Sequence, residues 1–475
     1  MQKEIEKIPK TISEAKTMFA SGELTSTQLV EHYFSVIKEK NSEINAVLET
    51  FEDAKITAEL ADKNIKEGKG GVLEGIPFLV KDCILVKGHT ASAGSQMLKN
   101  YTAAFDATVI KRIKDAGGII IGRTNMDEFA LGGSGENSSY GKTKNPIDVS
   151  RVPGGTSSGS AAAIAAGMCL VAIGTDTGGS VRQPASFCGL YGNKGSYGVY
   201  SRSGLVAAAS SLEGPGVLAN SAEDVEIVHK IMSGEDVMDN TSIPNSVREQ
   251  NKFEIKSKYK VAYPEEYLKS EGLNAEVKKN FFDTLEKLKG QGHEVIGANM
   301  DTLKYALSMY YIINTAEVST NLSRMEGLRF GGGDVGDVKN YQELFAKNRG
   351  KFLGPEVKRR IMIGSYVLSH GYYDAFYGKA LELRTKMKNE FEKVFNGVDF
   401  LVMPTAPTTA WKFGEIKDPL SLYLEDIFTV PANLAGLPAI SVPSGVDSNK
   451  IPIGFQILGP YLSDEKLLDF AKTIK

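Results

Sequence analysis

The chain has 475 residues, of which 42% are hydrophobic and 24% charged, with a formal net charge of −3. This composition is typical of a folded globular protein and excludes a broad basic surface for nucleic acid. No apolar run approaches the roughly 20 residues that a membrane-spanning helix needs, and the first residues lack the apolar core of a signal peptide. We therefore expect a cytoplasmic chain without membrane contact.

Cysteine and histidine are scarce in this sequence. The three cysteines (Cys83, Cys169 and Cys188) have no CxxC spacing, and the five histidines have neither HxH nor HExxH spacing. We therefore predict reduced, buried thiols and no metal site. Hydrolytic chemistry in such a chain has to proceed without a histidine base.

The first 80 residues predict helices followed by a buried strand. Residues 10–67 are helical in pattern: Thr25–Gln28 forms a capping box before an amphipathic stripe, and a further helix covers about 52–67. The apolar run 73–80 then predicts a strand that ends at Lys81. Burial disfavours the charged form of a lysine, so Lys81 is a candidate neutral base. The alternatives are that it extends to solvent or pairs with Asp82.

Two glycine-rich turns that carry hydroxyl groups, residues 154–160 and 174–180, dominate the middle of the chain. Glycine lets a substrate approach the backbone, and free N–H groups beside a serine can stabilise an oxyanion. A small-residue helix at 161–166, with serines as its N-cap, and a buried strand at 168–173 connect the two turns.

The remainder of the chain alternates strands and helices after a polar surface excursion at 235–256. Strands are predicted at 258–263, 293–297, 400–403, 440–442 and 453–457, and helices at 274–290, 302–325, 355–369, 372–396 and 463–475. This alternation predicts an α/β fold.

Three motifs, Lys81 and the two turns GGTSSGS (154–160) and GTDTGGSVR (174–182), resemble the amidase signature family in order and spacing. The resemblance implies one large amidase domain over residues 1–475, with a central mixed, mostly parallel β-sheet covered by helices on both faces. Within it, N-terminal helices would occupy about 10–67, the signature core about 70–220, and the C-terminal part of the same domain about 258–475.

The family's catalytic unit is a nucleophilic serine, a second serine that follows a cis peptide, and a lysine. The resemblance makes Ser180 the nucleophile and Lys81 the base. Position 156, where the relay serine usually stands, is a threonine, so Thr156 is the expected relay and Ser157 the fallback. The oxyanion hole would consist of the backbone N–H groups of Thr177, Gly178, Gly179 and Ser180.

The second half is similar to one branch of the family, the A subunits of bacterial tRNA-dependent amidotransferases, which act on glutamyl-tRNA(Gln) or aspartyl-tRNA(Asn). The motifs that carry this likeness are 310–311 (YY), 317–324 (EVSTNLSR), 356–360 (EVKRR), 372–374 (YYD), 404–409 (PTAPTT) and 431–438 (PANLAGLP). In that branch the A subunit hydrolyses glutamine and supplies ammonia. A B subunit uses ATP and Mg and holds the misacylated tRNA, and a C subunit joins the two.

This likeness implies B and C subunits as partners in a heterotrimer, glutamine as a substrate, and no cofactor in this chain. Arg360 would bind the α-carboxylate of glutamine and Asp426 its α-amine, with Tyr311 in the same pocket. Two other hypotheses stay open: a free-standing amidase acting on small amides, and a catalytically silent scaffold, suggested by Thr156.

Overall fold

A mixed β-sheet runs through the computed structural model, which describes residues 7–251, 253–269, 272–330, 332–333 and 336–474. Its 11 strands lie in the order β1-β3-β2-β4-β6-β5-β10-β11-β9-β7-β8. The strands are β1 (Val47–Thr50), β2 (Pro77–Lys81), β3 (Ile119–Thr124), β4 (Val171–Asp176), β5 (Tyr191–Lys194), β6 (Gly214–Ala219), β7 (Lys260–Pro264), β8 (Glu294–Ala298), β9 (Phe400–Pro404), β10 (Ala439–Val446) and β11 (Pro452–Leu458).

Helices flank this sheet. They are α1 (Ile12–Ser21), α2 (Ser26–Ile44), α3 (Ala54–Lys66), α4 (Thr108–Asp115), α5 (Ser158–Ala165), α6 (Arg182–Cys188), α7 (Ala222–Met232), α8 (Asn245–Gln250), α9 (Ala275–Gly290), α10 (Ala306–Asn321), α11 (Tyr341–Phe352), α12 (Pro355–Val367), α13 (Lys379–Phe395), α14 (Pro419–Leu424), α15 (Val430–Ala435) and α16 (Asp464–Ala471). Within the described ranges, none of them is long and apolar enough to cross a bilayer.

The α/β class and the mixed sheet are confirmed, but the expectation of a mostly parallel sheet is wrong. Among the described residues, six of the ten strand pairs are antiparallel. The centre of the sheet, from β4 to β9 in the strand order, is antiparallel at every pair, and it includes a hairpin of β10 and β11 joined by a short turn at 447–451. Parallel neighbours need a longer crossover, and β2, β3 and β4 have one.

The prediction of helices over 10–67 is confirmed for α1, α2 and α3, but β1 interrupts it because Asn45 (φ 55°) ends α2 and the chain then pairs with β3. Thr25 and Gln28 form both bonds of the capping box, at 2.9 and 3.1 Å. The predicted strand at 168–173 is displaced and becomes β4, because Gly167 (φ 75°) ends α5 and Met168 still bonds back to Ala163.

The sheet brings the two motifs of the predicted site to one edge. β2 and β4 are parallel neighbours, with Val80 paired to Ile173. Their carboxyl ends therefore lie side by side, which is where α/β sheets commonly bind ligands. Lys81 closes β2, and the turn that contains Ser180 follows β4 directly.

Candidate active site

Lys81 lies in a cluster of hydroxyl groups. Its side chain is fully buried, and Nζ lies within hydrogen-bonding distance of Thr156 Oγ1 at 2.7 Å, Thr175 Oγ1 at 2.8 Å and Ser157 Oγ at 3.0 Å. No carboxylate of the described residues forms an ion pair with it. Burial lowers the pKa of the Lys81 ammonium, against the raising effect of more distant acidic groups. A buried lysine without a counter-charge is suited to act as a neutral base.

Asp82 does not partner Lys81. Its carboxylate accepts from Arg123 Nη1 at 2.6 Å and from the backbone N–H groups of Ser92 at 3.1 Å and Gly94 at 2.9 Å. The alternatives of a lysine paired with Asp82 or extended into solvent are therefore both wrong.

The two candidate relay hydroxyls differ in their hydrogen bonds. Ser157 Oγ donates to the carbonyl oxygen of Thr175 at 3.1 Å and accepts from its N–H at 3.3 Å. Ser157 occupies the N-cap position of α5 without a side-chain capping bond. Thr156 Oγ1 bonds only to Lys81 among the described residues. The proton of Thr156 is therefore free to be shared, whereas that of Ser157 is engaged.

Ser180 lies against this cluster through the backbone. The N–H of Ser157 donates to the carbonyl oxygen of Ser180 at 3.2 Å, and the N–H of Gly155 donates to Gln183 Oε1 at 2.7 Å, so the two turns are joined. The partly buried Ser180 hydroxyl forms no hydrogen bond with a described residue. Catalytic hydrogen bonds often tighten only when a substrate binds. Contrary to the expectation of a cis peptide, every described peptide bond is trans.

Asp176 organises the turn that precedes Ser180. Its carboxylate accepts from the N–H groups of Gly179 at 3.0 Å and Val181 at 3.2 Å, and from Arg182 at 2.8 Å. Burial alone would raise the pKa of Asp176, but the guanidinium of Arg182 holds it well below its usual range. The backbone N–H of Gly179, a predicted oxyanion donor, therefore already donates to Asp176. An oxyanion would have to share this N–H with the carboxylate.

The glycines of this turn are required by close neighbours. A Cβ at Gly178 would collide with the hydroxyl of Tyr310, and one at Gly179 would collide with Thr429. Thr429 Oγ1 also donates to the carbonyl oxygen of Gly178 at 2.6 Å. The second half of the chain therefore holds the turn in place, and the Tyr310 hydroxyl lies directly beside it.

The three residues predicted to bind the amino-acid part of the substrate lie in one group. Tyr311 Oη donates to Asp426 Oδ2 at 2.7 Å, and the guanidinium of Arg360 lies 5.1 Å from the centroid of the Tyr311 ring. Arg360 is buried and donates to Glu356 at 2.8 Å. Tyr310, next in sequence to Tyr311, connects this group to the Ser180 turn.

Asp426 is tied to the Ser180 turn as well. Its carbonyl oxygen accepts from the Thr429 hydroxyl at 3.0 Å, and the same hydroxyl contacts Gly178. Burial raises the pKa of Asp426 to about 7, although the hydrogen bond from Tyr311 and the charge of Arg360 both lower it. The group thus presents a permanent cation and a carboxyl that ionises near neutral pH.

Comparison with known proteins identifies the family of this chain. The sequence pattern of the Amidase family matches residues 28–468.

The chain belongs to the amidase family.

Among relatives of this amidase, the A subunit of glutamyl-tRNA(Gln) amidotransferase from Halothermothrix orenii is 44% identical over 98% of this chain and 96% of its own length. The crystal structure of the corresponding A subunit from Thermotoga maritima is 37% identical with a TM-score of 0.80, covering all of this chain and 95% of that one. A 6-aminohexanoate cyclic dimer hydrolase is 26% identical with a TM-score of 0.83, covering 98% and 97%.

Sequence reasoning missed three residues of this amidase site. Thr175 is a third hydroxyl on Lys81, and the Asp176–Arg182 pair supports the turn. All three belong to the motif at 174–182, but only the pairing of β4 beside β2 shows that Thr175 reaches Lys81.

Within the described ranges, no group of His, Cys, Asp and Glu residues could hold a metal ion.

Proposed function

We propose that this chain is the glutamine-hydrolysing component of a tRNA-dependent amidotransferase. The observation that carries the proposal is the group formed by Arg360, Asp426 and Tyr311 beside the Ser180 turn. A cation over the Tyr311 ring and a carboxyl at its hydroxyl match the two charged groups of a free amino acid. Relatives that bear the name of the glutamyl-tRNA(Gln) amidotransferase A subunit support the assignment.

In the proposed mechanism Ser180 attacks the side-chain amide carbon of glutamine. Its proton passes to Thr156, whose own proton passes to the neutral amine of Lys81. The N–H groups of Thr177 and Gly178, with a share of Gly179, stabilise the oxyanion. Loss of one such donor typically lowers the rate by about 10²–10³.

The proton then returns along the same path to the departing nitrogen, and ammonia leaves as an acyl-enzyme forms on Ser180. Water attacks this ester as Thr156 and Lys81 again accept a proton, and that proton then returns to the Ser180 oxygen as glutamate is released. The free proton of Thr156 supports it as the relay over Ser157, whose hydroxyl is bound to Thr175.

The wider assembly belongs to the proposal too. The ammonia would be used by a partner B subunit that binds ATP, Mg and the misacylated tRNA, with a small C subunit completing a cytoplasmic heterotrimer. Glu-tRNA(Gln), Asp-tRNA(Asn) or both would be the acceptors. The net charge of −3 is consistent with tRNA being bound mainly by another chain of the complex.

The test is reconstitution with B and C subunits. We expect glutamine-dependent amidation of misacylated tRNA that is lost in Ser180→Ala, while amidation with added ammonium salt persists. Loss of both activities would contradict a nucleophilic role for Ser180. Glutaminase activity that survives Ser180→Ala would contradict the assigned chemistry, and a reconstituted complex without glutaminase activity would favour the silent scaffold.

A free-standing amidase is the second candidate, favoured by the similarity to a 6-aminohexanoate cyclic dimer hydrolase. Such an enzyme would hydrolyse small amides as the purified chain and would show no preference for a free α-carboxylate. Comparing glutamine with butyramide for the chain alone and for the complex separates the two functions.

A further inference from the structure

A buried carboxyl outside the proposed chemistry connects the core to the helix that carries Arg360. Glu128 is only 2% exposed. One oxygen accepts from the Ser95 hydroxyl, and the other accepts from the backbone N–H of Gly354 at 2.7 Å. Gly354 is the N-cap of α12, and that helix has no side-chain cap of its own. The carboxyl of Glu128 therefore accepts the N–H of the N-cap residue, as the N3 glutamate of a capping box does, and places a negative charge at the helix N-terminus.

The position of this bond matters because Arg360 lies in the second turn of α12. Because Arg360 is the sixth residue of this helix, we expect a shift at the N-terminus to displace the Arg360 guanidinium as well. The chain around Glu128 reaches the same guanidinium a second time, since the carbonyl oxygen of Gly132 lies 3.5 Å from Arg360 Nη2. One segment thus contacts both the start of α12 and its functional side chain.

Neighbouring residues hold that segment rigidly. The Asp127 carboxylate accepts four backbone N–H groups at 2.7–3.3 Å, those of Gly133, Ser134, Gly135 and Asn137. Phe129 and Ala130 both have left-handed backbones, with φ of 50° and 56°. Such strain is kept only where the surroundings fix it and is frequent at binding sites.

Gly354 fits this contact from the other side. A Cβ added there would lie 2.5 Å from the nearer oxygen of Glu128. The backbone of Gly354 (φ −70°) is open to any residue, so only the closeness of the carboxyl requires glycine.

We propose that Glu128 is a positioning residue for substrate binding: by holding the N-terminus of α12 it fixes Arg360 where the α-carboxylate of the substrate is bound. The inference rests on the proposed function, because it needs a substrate with that carboxylate. It assigns Glu128 no contact with the reacting atoms.

The test uses the reconstituted complex and separates KM from kcat. Glu128→Leu should raise the KM for glutamine about tenfold with kcat within about twofold, because misplacement of a binding group by a fraction of an ångström weakens binding strongly. Glu128→Gln keeps an acceptor for the Gly354 N–H and should restore most of the loss. Inactivation of Ser180 by phenylmethanesulfonyl fluoride, which has no carboxylate, should proceed at an unchanged rate in all variants.

Gly354→Ala disturbs the same contact from the side of α12 and leaves Glu128 itself unchanged. It should raise KM in the same direction, and combining it with Glu128→Leu should add little, because both remove one interaction. Asp224→Leu is the matched control: Asp224 is buried and accepts the Ile12 N–H at 2.9 Å, away from the site. That variant should lower stability and leave the KM for glutamine unchanged.

An unchanged KM in Glu128→Leu and Gly354→Ala would overturn the inference alone, provided that the unaltered complex hydrolyses glutamine. A parallel fall of kcat and of the sulfonyl fluoride rate would also overturn it, because it would indicate a general structural role. If Glu128→Leu does not fold, Gly354→Ala decides. An unaltered complex without glutaminase activity would overturn the proposed function and this inference together.

Discussion

Two buried basic side chains lie within one active-site region and differ in their partners. Arg182 is fully buried and pairs with Asp176 at 2.8 Å, and its other donors reach three oxygens, those of Thr429, Gln456 and Asn433. Lys81 is equally buried and meets only uncharged groups.

The contrast separates a charge that stabilises the structure from an amine that takes part in the chemistry. A guanidinium cannot lose its proton at physiological pH, so burying it requires a full set of acceptors. An amine can become neutral, and burial without a counter-charge favours that form. The paired arginine therefore fixes the turn that carries Ser180, whereas the unpaired lysine is available to take its proton.

Replacing the unpaired lysine should have the largest effect on activity. We expect Lys81→Met to lower glutamine-dependent amidation at least about 10³-fold, because the nucleophile loses its base. Amidation with ammonium salt should persist. The measurement is the ratio of the two rates in the reconstituted complex.

The stability of Lys81→Met distinguishes a chemical role of Lys81 from a structural role like that of Arg182. Its free energy of unfolding should stay unchanged or rise by about 1 kcal/mol, because an isolated buried amine is removed and hydrophobic volume is kept. A large loss of stability would show that Lys81 is a structural group like Arg182.

Replacing Arg182, the paired cation, should instead lower the stability of the chain. Arg182→Met leaves the Asp176 carboxylate buried without its partner, and such changes lower the free energy of unfolding by about 3–5 kcal/mol. Denaturant unfolding of the full chain measures this value. Activity should fall as well, because Asp176 holds the Gly179 and Val181 N–H groups. A stable Arg182→Met chain would contradict the structural role.

The hydroxyls around Lys81 can be ranked by how much kcat falls when each is removed. Thr156→Val removes the free relay proton and should lower kcat about 10²-fold or more, within the usual range for a proton-transfer group. Ser157→Ala should lower kcat less, since that hydroxyl is bound to Thr175. Thr156→Ser should keep activity. A larger loss in Ser157→Ala than in Thr156→Val would reverse the assignment of the relay.

The sequence predicts the α/β class and most elements because periodicity and capping are local properties. The capping box at Thr25 and the helix at 274–290, observed as Ala275–Gly290, are examples. The direction of neighbouring strands is not local. The mostly parallel expectation was wrong because the antiparallel pairs β4–β6, β5–β10 and β9–β11 join strands that lie far apart in the sequence.

In the site, too, the motifs could be predicted from the sequence, whereas individual contacts could not. Motif spacing indicates Lys81 and the two turns, and the geometry brings them together through β2 and β4. The engagement of the Gly179 N–H by Asp176 and the bond from Lys81 to Thr175 could not be predicted, because each depends on the path of a turn after a strand. Glu128 was missed because its partner, Gly354, is 226 residues away.

A smaller effect should come from the pH dependence of substrate binding. Asp426 has to be ionised to bind the α-ammonium of glutamine, and burial raises its pKa to about 7. The KM for glutamine should therefore fall roughly tenfold between pH 6 and pH 8, and Asp426→Asn should give a high KM that varies little with pH. Steady-state kinetics of the complex across this range measures both values.

The same carboxyl provides an independent check on stability. Its pKa in the folded chain lies above the usual value of about 3.9, so the folded state holds the proton more tightly than the unfolded state. The contribution of Asp426 to stability is therefore lost as the pH rises from about 4 to 7. Asp426→Asn should remove that part of the pH dependence of unfolding. If neither the KM profile nor the unfolding profile flattens in Asp426→Asn, the group that titrates near pH 7 lies elsewhere, and the carboxyl beside Tyr311 is ionised throughout, like the one beside Arg182.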